Sequence, residues 1–137
     1  MPDERNDKNA DSTCSTCCGG GVRLVFPCSG AADVGAIADQ VGRKMTREGL
    51  GSMYCLAGIG GHVSGIVETT KAADEVITID GCPIACATKT LEHIGITPKT
   101  FEVTKMGFEK YKTPVTEEAI NKVYSEIKAV LENPENT

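Results

Sequence analysis

The chain has 137 residues, 40% of them apolar but only 4% aromatic, with no tryptophan. That suits one domain whose core is built from Val, Ile, Leu, Ala and Met, large enough to fold without disulfide staples. The net charge is −5, and no basic stripe interleaved with aromatics occurs, which argues against nucleic acid and against a membrane surface as partners.

Residues 1–13 are polar and lack the apolar run of a secretory signal, and no segment is long enough to span a bilayer. The expected compartment is therefore the cytoplasm. There, seven cysteines, an odd number, read as metal ligands or redox groups rather than as a disulfide framework.

In chain order, residues 1–21 are expected to form a disordered tail. It is rich in charge and ends in the Cys/Gly cluster from Cys14 to Gly21, with little to offset its ordering entropy. Val22 to Pro27 reads as strand one. Val34, Ile37, Ala38, Val41 and Met45 follow helical spacing, with Asp33 as N-cap and Gly49 near the helix end. Ser52 to Ala57 reads as strand two, Ser64 to Ala73 as a short helix, and the β-branched Glu75 to Asp80 as strand three. Pro83 at a first helical position predicts a helix to Ile94, stopped by Gly95. Thr100 to Met106 reads as strand four. Thr116 is placed to cap a last helix through Leu131, with Ile120, Val123, Tyr124, Ile127, Val130 and Leu131 on one face.

Alternation of strand and helix predicts a single α/β domain over 22–133, followed by a short tail, 134–137. Its sheet should be mainly parallel and four-stranded, flanked by helices and joined by right-handed crossovers. The expected strand order is 2-1-3-4; order 1-2-3-4 in a curled sheet is the alternative.

This scaffold gives the cysteines a common address. Cys28 follows strand one, Cys55 lies late in strand two, and Cys82 follows strand three, at successive separations of 27 residues. Three βα units thus deliver a thiol to the carboxyl edge, where open α/β sheets bind ligands. Neighbouring strands lie about 4.8 Å apart, close to the sulfur spacing around a zinc ion with Zn–S bonds of about 2.3 Å. Cys86 is expected one helical turn beyond Cys82, which would be the N-cap. The helix dipole would favour thiolates at both. Small buried hydrophobes are the plain alternative for any one cysteine, but not for four at strand ends beside glycines.

The segments Phe26-Pro-Cys-Ser-Gly-Ala-Ala-Asp-Val-Gly35, Tyr54-Cys-Leu-Ala-Gly-Ile-Gly-Gly61 and Ile79-Asp-Gly-Cys-Pro-Ile-Ala-Cys86 resemble the DGC-domain family, named for the Asp-Gly-Cys matched here by Asp80, Gly81 and Cys82. The resemblance runs from about Val22 to Glu117. It implies zinc binding through Cys28, Cys55, Cys82 and Cys86, and it implies no particular reaction.

Other motifs carry less. Cys14-Ser-Thr-Cys17-Cys18 contains a C-x-x-C, but strand one starts at the amino edge, so the tail would have to fold back to reach the site. The loop after Cys28 has Val34 where a cysteine phosphatase needs arginine to hold an oxyanion. Its N–H groups remain free to orient Cys28 or a small anion. Gly58 to Val63 fits neither G-x-G-x-x-G nor a P-loop, and its glycines are expected to let backbone pass close to the thiols. His62 reads as an exposed loop histidine, with a place beside the metal as the lesser option. His93 sits where a helix carboxyl end favours it. Asp33 is read as a helix cap and Asp80 as the residue that orients its turn; a general-base role for either is the lesser option.

Three functions follow. A zinc-binding protein with a four-cysteine site ranks first, an iron–sulfur protein second, and a thiol enzyme using Cys82 or Cys86 as nucleophile or redox pair third.

Overall fold

The computed structural model describes residues 21–133; Cys14, Cys17 and Cys18 lie outside them. Strand β1 (Arg23–Pro27) leads through helix α1 (Asp33–Arg47) to β2 (Ser52–Met53). Two short helices, α2 (Leu56–Gly60) and α3 (Ser64–Ala72), precede β3 (Glu75–Asp80). Helix α4 (Cys86–His93), β4 (Lys99–Glu102), a 3₁₀ turn (Val103–Met106) and α5 (Glu117–Glu132) complete the domain. The sheet is parallel throughout, in the expected order β2-β1-β3-β4.

Side chains alternate across a strand, and β1 shows what that does here. Val25 joins Ile77, Ile79, α1 and α5 in one core cluster, while Leu24 and Phe26 join Ile59 and Leu91 in another. Helices α1 and α5 therefore cover one face of the sheet, and α2, α3 and α4 the other. The apolar stripe of α1 is fully buried at Ile37, Ala38, Val41 and Met45. In α5, Ile120, Val123, Tyr124, Ile127 and Leu131 are buried and Val130 partly so, and Thr116 caps the helix by accepting the Ala119 N–H at 3.2 Å.

Four local expectations are corrected. Strand two is short: only Ser52 and Met53 pair with β1, at Leu24 and Val25. The Gly58 N–H then turns back to the Cys55 carbonyl and starts α2. Strand four stops at Glu102 because the next residues wind into the 3₁₀ turn, where the Thr104 N–H reaches the Gly81 carbonyl at 3.2 Å. Asp33 is the first residue of α1 rather than its N-cap, which is Ala32 without a side-chain bond. The helix expected from Pro83 begins three residues later, at Cys86. Residues Cys82 to Ala85 form a turn closed by Ala85 N–H to the Cys82 carbonyl, and Ala85 sits in the left-handed region at φ 56°.

Candidate functional site

The carboxyl edge is assembled around Gly81. Beyond Pro27 the ladder continues, as the Cys28 N–H bonds the Ile79 carbonyl at 2.9 Å. The Gly81 N–H then donates to Cys28 Sγ at 3.4 Å, while its carbonyl takes the bond from Thr104. No side chain fits at Gly81: a Cβ would lie 2.8 Å from both the Gly35 nitrogen and the Val34 carbonyl carbon. Gly35 is packed as tightly, since a Cβ there would lie 2.6 Å from the Gly30 carbonyl oxygen. These two glycines let the loop after β1, the start of α1 and the loop after β3 press together, which brings Cys28 against Gly81.

Cys28 is half-buried, and burial pushes its thiol pKa up. The backbone N–H groups of Gly30 and Gly81 act the other way, and the negative charges of Asp80 and Cys82 raise it further. The 3.4 Å hydrogen bond to Cys28 Sγ comes from Gly81, after β3, rather than from the loop that follows Cys28. The sheet also carries a buried polar chain: Asp80, 3% exposed, accepts the Ala87 N–H at 2.7 Å, the Thr88 N–H at 3.1 Å and the Thr88 hydroxyl at 2.6 Å. Thr78 and Thr88 share a further bond at 2.8 Å. Asp80 is therefore the cap of α4, reaching the orphan amides of its first turn from the end of β3. Its carboxylate thus serves the helix start, with three donors on its two oxygens.

Cys86 opens α4 and is exposed. Cys55 is also exposed and is the N-cap of α2, with no side-chain cap bond. Both helices run away from the carboxyl edge, and they pack side by side through Ile59 and Leu91 in the same core cluster. All four cysteines are free thiols. Among the described residues, no group of three or more His, Cys, Asp or Glu side chains is already arranged to hold a metal ion.

One residue at this edge had no sequence signal. The Lys110 ammonium donates to Cys82 Sγ at 3.5 Å. Partial burial opposes its charge, but the bond to Cys82 and the charges of Cys82, Tyr111 and Cys86 leave its pKa raised. The loop that carries Lys110 comes from beyond β4, 28 residues after Cys82.

The histidines lie elsewhere. His62 and His93 line a small cleft at the carboxyl ends of α2 and α4 with Gly60 and Thr90, away from the amino ends that carry Cys55 and Cys86. Of the glycines before His62, Gly58 serves helix packing, because a Cβ there would run into Ile66 of α3, while Gly60 faces open space.

Residues 24–127 match the DGC domain. The chain belongs to the DGC-domain family. The resemblance carried by Asp80-Gly81-Cys82 thus extends over most of the fold, from β1 into α5. The chain is also 32% identical over 75 residues to the anaerobic and virulence modulator AnvM of Pseudomonas aeruginosa strain PAO1. That match covers 55% of this DGC-domain chain and 57% of AnvM. No solved structure matches. No helix among the described residues is long and apolar enough to cross a membrane.

Proposed function

We propose that this DGC-domain protein binds one zinc ion through Cys28, Cys55, Cys82 and Cys86 at the carboxyl edge of its sheet. The observation that carries the reading is the Gly81 N–H bond to Cys28 Sγ at 3.4 Å, which sets Cys28 against the residue just before Cys82, with Cys86 at the start of α4. Cys55 follows β2, the neighbouring strand on the other side of β1, as the N-cap of α2. Four soft thiolate donors match the chemistry of zinc. The donors are not gathered around one point beforehand, so binding draws in Cys55 and Cys86, the two exposed thiols.

A zinc ion with four thiolates has no open position for substrate and holds elements together. Here it would tie β1, β2 and the β3–α4 turn. The core is already closed without it, so loading would report metal or redox status rather than create the fold. The name of AnvM, an anaerobic and virulence modulator, supports such a regulatory role. Thiols kept free as metal ligands suit a reducing compartment, which supports a cytoplasmic location.

A second reading, a thiol enzyme acting through Cys82, is favoured by the lysine bonded to that sulfur. Metal analysis with a visible spectrum, on full-length protein purified without added metal, separates the readings. One zinc per colourless chain supports the first. Brown protein with visible absorption points to an iron–sulfur cluster, and metal far below one per chain leaves thiol chemistry.

A further inference from the structure

We propose that Lys110 is the counter-cation of the thiolate centre, a positioning residue whose ammonium at Cys82 raises the affinity for a divalent metal. The inference rests on the metal-binding reading and adds to it a residue outside the cysteine set.

Charge balance gives the reason. Four thiolates around a divalent ion leave two negative charges at the edge of a packed domain. Burying uncompensated charge is costly, and the half-buried Cys28 and Cys82 form part of that edge. Asp80 adds a further negative charge nearby. Lys110 offsets part of this total and supplies a charge-assisted N–H···S bond to one ligand. Among the described residues it pairs with no carboxylate. The neighbouring lysines are otherwise engaged: Lys112 with Glu109 at 3.1 Å, Lys105 with Glu102 at 4.0 Å, and Lys122 with the Met106 carbonyl at 2.9 Å.

The position of Lys110 is also fixed by contacts that do not involve the thiols. Asp33 accepts the N–H groups of Tyr111 at 2.8 Å and Thr113 at 2.9 Å. Thr113 Oγ1 bonds both the Glu109 carbonyl and the Glu109 N–H, and the Lys112 N–H closes onto the same carbonyl. The backbone that carries Lys110 is thus fixed by bonds independent of the thiols. Outer partners of metal ligands act in this way, by orienting the ligand and tuning its charge.

The test titrates cobalt(II) into full-length protein against a competing chelator. It follows both affinity and the sulfur-to-cobalt charge-transfer band, for wild type, Lys110→Met, Lys110→Gln and Lys110→Arg. Wild type should show the band. The two neutral variants should bind about 10–100-fold more weakly with a shifted band, while the arginine variant recovers most of the loss. All should keep the wild-type circular dichroism without metal. Neutral variants that match wild type would overturn the role of Lys110 and leave the metal reading standing, as would an arginine variant as weak as the neutral ones. A wild type with no band would overturn both.

Discussion

The carboxylate of Asp33 accepts the backbone N–H of Thr113, eighty residues later in the chain, at 2.9 Å. A second bond, from Tyr111, completes a strap between the start of α1 and the loop that presents Lys110. Bonds to both ends of one short loop hold it more firmly than either bond alone.

These bonds make the strap pH-dependent. The N–H groups of Thr113 and Tyr111 hold the Asp33 carboxyl below its ordinary value of 3.8. A depressed folded-state pKa gives stability that is present above the ordinary value and lost as pH falls through the lower, folded-state value. Amide resonances of Tyr111 and Thr113 should hold steady from neutral pH down to about 4 and move together below that. In Asp33→Asn that transition should be missing, and amide exchange at both positions should be faster. Unchanged exchange would show that the strap does not depend on the carboxylate.

Asp80 should matter more to stability. It is buried and satisfies two helix amides and a hydroxyl. Asp80→Ala leaves these donors without a partner and should cost about 2–4 kcal/mol in urea unfolding. Thr88→Val removes only the hydroxyl bonds and should cost about 1 kcal/mol. Equal losses would mean that capping is not the main contribution of Asp80.

Gly35→Ala should cost about 1–3 kcal/mol, because its new methyl would meet the Gly30 carbonyl rather than a side chain able to move. The shift would propagate to the Cys28 loop. Metal affinity should therefore fall together with stability, as measured by chelator competition and urea unfolding on the same sample. Gly65→Ala, a helical position with open space, should leave metal affinity unchanged and hold or slightly raise stability, and serves as the control.

Much of this scaffold can be read along the chain, for a physical reason. Where a strand or helix buries a whole face, as at Val25 to Phe26, Glu75 to Asp80 or Ile120 to Leu131, its apolar period is imposed by the core and shows in the sequence. The order 2-1-3-4 and the placement of thiols at strand ends follow from that alternation. What escapes is decided by distant or local bonds with no periodicity. Tyr54 to Ala57 is apolar enough for a strand, yet β2 lies at the edge of the sheet, and the bonds to the Cys55 carbonyl turn the chain into α2. Pro83 suits a helix start, yet Asp80 caps the amides of Ala87 and Thr88, and Ala85 turns left-handed to allow it. Lys110 had no motif at all, because its place depends on Asp33, on the far side of the sequence.

Each site cysteine changed singly to serine should lower zinc affinity by more than the roughly 10–100-fold expected for loss of an outer partner. Cys55→Ser is the most informative of the four, since Cys55 follows β2, on the other side of β1 from the β3 end that carries Cys82 and Cys86. Zinc affinity unchanged in that variant would reduce the donor set to Cys28, Cys82 and Cys86.

The most direct test is zinc-edge X-ray absorption on the full-length, zinc-loaded protein. Four sulfur neighbours at about 2.3 Å are predicted, falling to three in Cys55→Ser. A first shell dominated by nitrogen or oxygen at about 2.0–2.1 Å would contradict a centre built from these four thiols.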